Sequence, residues 1–275
     1  MNQPIRDVSY ASQSQRQKLD LYLPENDGLL HPVVIWLHPG GFSHGSKEIM
    51  IDALVPPLLK RGYAVVAANY RLTDEAIFPA QIFDAKAVVR WTRANASQYH
   101  LNPEKIAAWG CSAGATLAVL LGTSANVPEL EDLSMGNSAE SSAVSAVVDW
   151  YAPIDLLKID AQLVELGFPS VHGLQKTELF NVVGGPGPDI TEKCNRLNPV
   201  FYLTASAPPV YIQHGNQDDT VPITQSLKLA EALRSAIGNK KVVLKIVENA
   251  DHFSAKHQSQ ENIKEIIEFL DQYLR

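Results

Sequence analysis

The chain has 275 residues, a formal net charge of −7, 45% hydrophobic and 19% charged residues, which is the make-up of an ordinary globular protein long enough to bury a substantial core. No basic tract is longer than Lys240-Lys241, which argues against a nucleic-acid partner, and no apolar run approaches the roughly 18 residues of a membrane span. Cys111 and Cys194 make no disulfide framework, and residues 1–7 carry no apolar stretch of a signal peptide, so a cytoplasmic address is expected.

In chain order, residues 17–23 alternate polar and apolar, the pattern of a half-exposed strand and of an antiparallel edge. Pro24 ends it. Residues 33–37, Val-Val-Ile-Trp-Leu, form a solid apolar run that predicts a fully buried strand. Residues 51–61 read as a helix stopped by Gly62. Residues 63–68 predict the next buried strand, and 81–98 an amphipathic helix. Residues 105–109 predict a strand and 115–121 a helix. Further strands are expected at 143–150, 209–213 and 242–247, with helices at 223–236 and 260–273. Strands alternating with helices predict an α/β fold, a mostly parallel central sheet with helices on both faces, in one domain over 1–275. Residues 155–207 break this rhythm, with Gly184-Gly185-Pro186-Gly187-Pro188 in the middle. A long insertion of this kind predicts a cap or lid over a site.

Gly110-Cys111-Ser112-Ala113-Gly114 lies between an expected strand and an expected helix. Strand, G-x-S-x-G, helix is the setting of a nucleophile elbow, where a serine hydroxyl stands clear of the sheet edge. That hydroxyl is a weak nucleophile until a base takes its proton, and the base should be a histidine oriented by a carboxylate. Chain order in this architecture is serine, acid, histidine. Asp218 and Asp219 follow the strand at 209–213. Asp218 is favoured as the acid, while Asp219 could instead cap the helix near Pro222. His252 follows the last strand and is the favoured base; His257 is a weaker candidate. A tetrahedral intermediate also needs hydrogen-bond donors. His38-Pro39-Gly40-Gly41-Phe42 follows the strand at 33–37. Pro39 has no N–H, so the donors fall to Gly40 and Gly41, with Ala113 as the third.

Cys111 reads as a small packing residue. Trp36, Phe42, Tyr151, Phe168, Phe180 and Phe253 suit a pocket lining and the core equally well, and Phe168 and Phe180 of the insertion are expected to shape the pocket. No histidine spacing suggests zinc, so no metal or cofactor is expected. The expected partner is a small-molecule ester substrate; self-association into a homo-oligomer stays open.

Together these segments resemble the α/β-hydrolase superfamily, and within it the HGGG-type carboxylesterases of the hormone-sensitive-lipase-like and feruloyl-esterase-like branch. The likeness runs over residues 19–274. It is carried by Leu19-Asp20-Leu21-Tyr22-Leu23-Pro24, His38-Pro39-Gly40-Gly41-Phe42, Asn69-Tyr70-Arg71-Leu72, Phe78-Pro79-Ala80-Gln81, Asp84, the elbow, His214-Gly215-Asn216-Gln217-Asp218 and Asp251-His252-Phe253. The resemblance implies a Ser112–Asp218–His252 triad, an oxyanion hole of Gly40, Gly41 and Ala113, and scaffold roles for Tyr70, Arg71 and Asp84. It implies a serine esterase acting on short-chain or aryl esters, with amide cleavage of the arylformamidase or acylaminoacyl-peptidase type as the alternative. Three positions depart from the family pattern. Pro39 replaces the first glycine and stiffens its loop. Cys111 stands where relatives often carry an acidic residue, which makes the pocket less negative. Ala115 replaces a common glycine.

Overall fold

The computed structural model describes residues 3–170 and 178–275. Within them the strands are β1 (Ile5–Ser9), β2 (Lys18–Tyr22), β3 (His31–Leu37), β4 (Ala64–Ala68), β5 (Leu101–Cys111), β6 (Ala146–Trp150), β7 (Val210–Gly215) and β8 (Val242–Val247). They form one sheet in the order β1-β2-β4-β3-β5-β6-β7-β8. The pairings β1–β2 and β2–β4 are antiparallel; the others are parallel.

The helices are α1 (Ile51–Lys60), α2 (Ala80–Ala94), α3 (Ala113–Thr123), α4 (Ile159–Glu165), α5 (Glu178–Asn181), α6 (Ile190–Leu197), α7 (Thr224–Ile237) and α8 (Gln260–Leu274). Ile51, Leu54, Val55 and Leu58 of α1, with Ile263, Ile266 and Leu270 of α8, cover one sheet face. Helices α2, α3 and α7 cover the other. Every residue of α3 is buried, as expected of a helix apolar on all sides. On the α1/α8 face, Trp36, Trp109 and Trp150 meet edge to face, with centroids 5.1 to 6.3 Å apart. They lock together the C-terminal ends of β3, β5 and β6, the strands that carry the site. The α/β-hydrolase fold expected from the sequence is the fold observed.

Two expectations need correction. Residues 18–22 do pair antiparallel, but they are interior; the edge is β1, whose Ile-Arg-Asp-Val-Ser is mostly exposed and gave no apolar alternation. In the stretch 155–207, Leu156, Ile159, Leu163, Phe180, Val182, Val183, Cys194 and Leu197 join the core on the α2/α3 face. Phe180 is 2% exposed, so it has a core to pack into and is not a free pocket wall; Phe168 is half-buried against the same core. Residues 171–177 of the expected cap, His172 among them, lie outside the described residues.

The β1–β2 hairpin does more than finish the sheet. The ammonium of Lys47, buried beneath it, meets Asp7 at 3.0 Å, Asp20 at 3.1 Å and Glu48 at 2.6 Å. The backbone N–H of Lys47 donates to Asn69 Oδ1 at 2.7 Å. Arg16 donates to the carbonyls of Tyr70 and Gly45. The loop after β3 is thereby fastened to the sheet along its length.

Candidate active site

Strand β5 ends at Cys111 and α3 starts at Ala113, so one residue makes the whole turn. That residue is Ser112, at φ 53 and ψ −122, a conformation costly for a side-chain-bearing residue. Its N–H is held by the Trp150 carbonyl at 2.8 Å. A Cβ at Gly110 would overlap the Gly114 carbonyl, and one at Gly114 would overlap the carbonyls of Leu37 and His38. Both elbow glycines are therefore required by contact, and Gly114 lets α3 start against the end of β3.

Asp218 and His252 come from the loops after β7 and β8. His252 Nε2 lies 3.1 Å from Ser112 Oγ, and His252 Nδ1 lies 2.7 Å from Asp218 Oδ2. The structure brings the three sequence-predicted residues together in one hydrogen-bonded line. Asp218 Oδ1 accepts the N–H groups of Thr220 at 2.9 Å and Val221 at 2.8 Å. Burial alone would raise the Asp218 carboxyl, but hydrogen bonds from His214 and His252 reverse this and hold it well below the usual carboxylate range. The two loops are tied to each other: Gln217 N–H donates to the Ala250 carbonyl at 3.0 Å, and Asn249 N–H to Asn216 Oδ1 at 2.7 Å. Gly215 permits this, since its Cβ would overlap the Ala250 carbonyl.

Asp219 does not cap a helix. Helix α7 starts at Thr224 after Ile223, with no side-chain cap, and Asp219 is exposed and accepts from the Thr220 hydroxyl at 3.3 Å. His257 does not reach the serine either: its Nε2–H donates to the Asp251 carbonyl at 3.0 Å.

Gly40 and Gly41 have φ values of 134 and 56, which glycine adopts without strain. Among the described residues, no protein acceptor is paired with the N–H groups of Gly40, Gly41 or Ala113. Ala113 opens α3, where free N–H groups and the helix dipole favour negative charge. The carbonyl of His38, two residues before Gly40, accepts the Tyr70 hydroxyl at 2.7 Å.

Cys111 is buried and its thiol donates to the Tyr151 hydroxyl at 3.0 Å. Burial pushes that thiol up to about 12, so it stays protonated and packs, as expected. Sequence reasoning missed Tyr151 as more than a pocket-or-core residue. At φ 48, its ring centroid lies 4.8 Å from that of His252, 4.5 Å from His257 and 6.1 Å from His214. It also missed any role for His214, although the residue opens the acid motif His214-Gly215-Asn216-Gln217-Asp218. Of the remaining aromatics, Trp36 and Phe42 are core, while Phe253 is 84% exposed beside His252.

Comparison with known proteins finds esterases. Esterase LipQ of Mycobacterium tuberculosis is 29% identical over 248 residues, covering 90% of this chain and 56% of the relative. The chain spans about half the length of the curated relatives it matches. A solved structure described as a truncated form of a carbohydrate esterase from gut microbiota superposes with a TM-score of 0.87 at 26% identity, covering 98% of this chain and 96% of that one. Esterase 2 of Thermogutta terrifontis, solved phosphoramylated by tabun, gives a TM-score of 0.76 at 25% identity, covering 97% and 93%. A family model described as BD-FAE matches residues 19–233, a span that runs from β2 through the elbow and Asp218 into α7, and the chain belongs to that family.

Proposed function

We propose that the protein is a serine carboxylic-ester hydrolase acting on short-chain or aryl esters through an acyl-enzyme. The observation that carries this is the line Ser112 Oγ, His252 Nε2, His252 Nδ1, Asp218 Oδ2, closed at 3.1 and 2.7 Å. Ser112 Oγ attacks the ester carbonyl carbon while its proton passes to His252 Nε2. The carbonyl oxygen becomes an oxyanion and takes the N–H groups of Gly40, Gly41 and Ala113. The intermediate collapses, the C–O bond to the alcohol breaks, and His252 returns the proton to the departing oxygen. Water, deprotonated by the same imidazole, then attacks the acyl-enzyme and releases the acid. Asp218 keeps Nδ1 protonated throughout and faces the imidazolium that forms.

All three residues come from one chain, so the reaction needs no second copy. The stretch 155–207 is read as a cap, supported by its departure just after β6, whose Trp150 carbonyl holds Ser112. The cytoplasmic address is supported by two cysteines that are free and buried. The likeness to a carbohydrate esterase adds acylated sugars to the substrates worth testing.

The experiment is a fluorophosphonate label on the folded protein, with a panel of p-nitrophenyl, feruloyl, acetyl-sugar and formyl-aryl substrates. Wild type should label at Ser112 and hydrolyse esters, and Ser112→Ala should lose about 10⁴-fold or more in kcat with its fold intact. No label on wild type, or a Ser112→Ala rate within about tenfold of it, overturns the assignment. A preference for the formyl-aryl substrate would move the reading to amide cleavage.

A further inference from the structure

We infer that His214 is a positioning residue for the acid of the triad, an inference that rests on the serine-hydrolase reading above. His214 is wholly buried near the end of β7. Its Nε2 lies 2.8 Å from the Val221 carbonyl and 3.3 Å from Asp218 Oδ2. A carbonyl only accepts, so Nε2 carries a proton, which it donates to the carbonyl beside the carboxylate. Nδ1 faces the buried Ser226 hydroxyl of α7 at 2.7 Å, which fixes the ring plane. The Tyr151 ring stands against it edge to face.

These contacts close a ring. His214 Nε2–H bonds to the Val221 carbonyl and lies 3.3 Å from Asp218 Oδ2, and the Val221 N–H bonds to Asp218 Oδ1. Thr220 supplies a further N–H to Oδ1. A carboxylate offers about four lone-pair sites, and here two are taken by backbone N–H groups and a third is faced by the His214 Nε2–H at 3.3 Å, none of which the reaction moves. The fourth is left for His252 Nδ1. Without His214, Oδ2 would face a buried space with one partner fewer, and the carboxylate could turn about its Cβ–Cγ bond. A swing of about 1 Å at the acid is carried to Nε2, where misplacement of that size costs about 10²-fold.

A merely structural histidine would tolerate any residue that preserves folding. Two amides of different reach separate the cases. In His214→Gln the amide nitrogen reaches the place of Nε2; in His214→Asn it reaches only that of Nδ1. His214→Asn should lower kcat by about 10²-fold with KM unchanged, and should shift the low-field proton resonance of the His252–Asp218 hydrogen bond. His214→Gln should restore most of kcat and the resonance. A folded His214→Asn with wild-type kcat, or equal losses in both variants, overturns the inference. If His214→Asn does not fold, Ser226→Ala decides: a lowered kcat at unchanged KM supports the role, and wild-type kcat overturns it. Wild type that neither labels nor hydrolyses esters would instead sink the serine-hydrolase reading, whereas an active wild type, a dead Ser112→Ala and a fully active His214→Asn would sink this inference alone.

Discussion

His38 lies flat on Tyr70, the two rings 4.3 Å apart and 9° from parallel, while the Tyr70 hydroxyl donates to the His38 carbonyl at 2.7 Å. Burial lowers the His38 imidazole to about 3, so the ring stays neutral and its Nδ1–H donates to the Pro39 carbonyl at 2.8 Å. The start of the Gly40–Gly41 turn is thus held from above, below and within.

Tyr70→Phe keeps the stack and removes one hydrogen bond from a buried carbonyl, at a cost of about 1–3 kcal/mol. Thermal melting should show that loss. Because the freed strand end leads into the Gly40–Gly41 turn proposed to hold the oxyanion, kcat for p-nitrophenyl acetate should fall while KM holds. A lower melting temperature with unchanged kcat would show that the tyrosine serves the fold alone.

The two aspartates should separate cleanly. Asp218→Asn removes the acceptor of His252 Nδ1–H and should cost about 10⁴-fold in kcat. Asp219→Asn changes an exposed side chain and should leave both kcat and stability within experimental scatter. Steady-state kinetics on the pair is the check; the reverse ranking would move the acid to Asp219.

Asp149 predicts a pH dependence of stability. It is buried on β6, Oδ1 accepts the Ala152 N–H at 2.9 Å, and among the described residues Oδ2 has no partner. Burial raises its carboxyl to about 7. Between its ordinary value near 3.8 and about 7, the folded chain holds a proton that the unfolded chain has released. Stability therefore falls as pH rises through that window, by up to about 1.4 kcal/mol per unit. Asp149→Asn removes the effect, so its melting temperature relative to wild type should climb from pH 4 to pH 7 and then level. The depressed Asp218 carboxyl acts in the opposite sense at acid pH, but it is common to both proteins and cancels in the difference. A constant difference across the window would mean that Asp149 is not the buried acid described.

Phe180 and Phe253 should fail differently. Phe180→Ala opens a cavity in the core and should cost about 3–5 kcal/mol. Phe253→Ala removes a ring that stands 84% in solvent, edge-on to His252 at 5.1 Å. Its melting temperature should hold while KM rises for bulky or aryl esters and stays level for acetates. Equal effects on large and small esters would remove Phe253 from the substrate's path.

The apolar runs at β3, β4 and the second half of β5 gave their strands directly, because a strand buried on both faces has no polar register to confuse it; the partly exposed first half of β5, from Leu101, was not read as strand. Ser112, Asp218 and His252 were legible because each follows a strand at one end of the sheet, where chain order limits the choices. The β1 edge was not legible: Arg6 and Asp7 serve as ion-pair partners of Asp20 and Lys47, and such pairing leaves no hydrophobic period. Nor was the packing of Phe180, since short helices such as α5 are too brief to show a face. His214 and Tyr151 matter through neighbours far along the chain, and no local pattern records that.

The ties between the loops after β7 and β8 give the site a mechanical division. The loops of Asp218 and His252 are bound to each other by the Gln217 N–H on the Ala250 carbonyl and the Asn249 N–H on the Asn216 side chain, and would travel as one piece. Ser112, pinned to β6, and the Gly40–Gly41 turn, pinned to Tyr70, form the other piece. Across the seam between them the side chains of the triad share one link, the 3.1 Å contact from His252 to Ser112. A displacement of either piece would therefore be felt at that one contact, on which the proposed proton transfer depends.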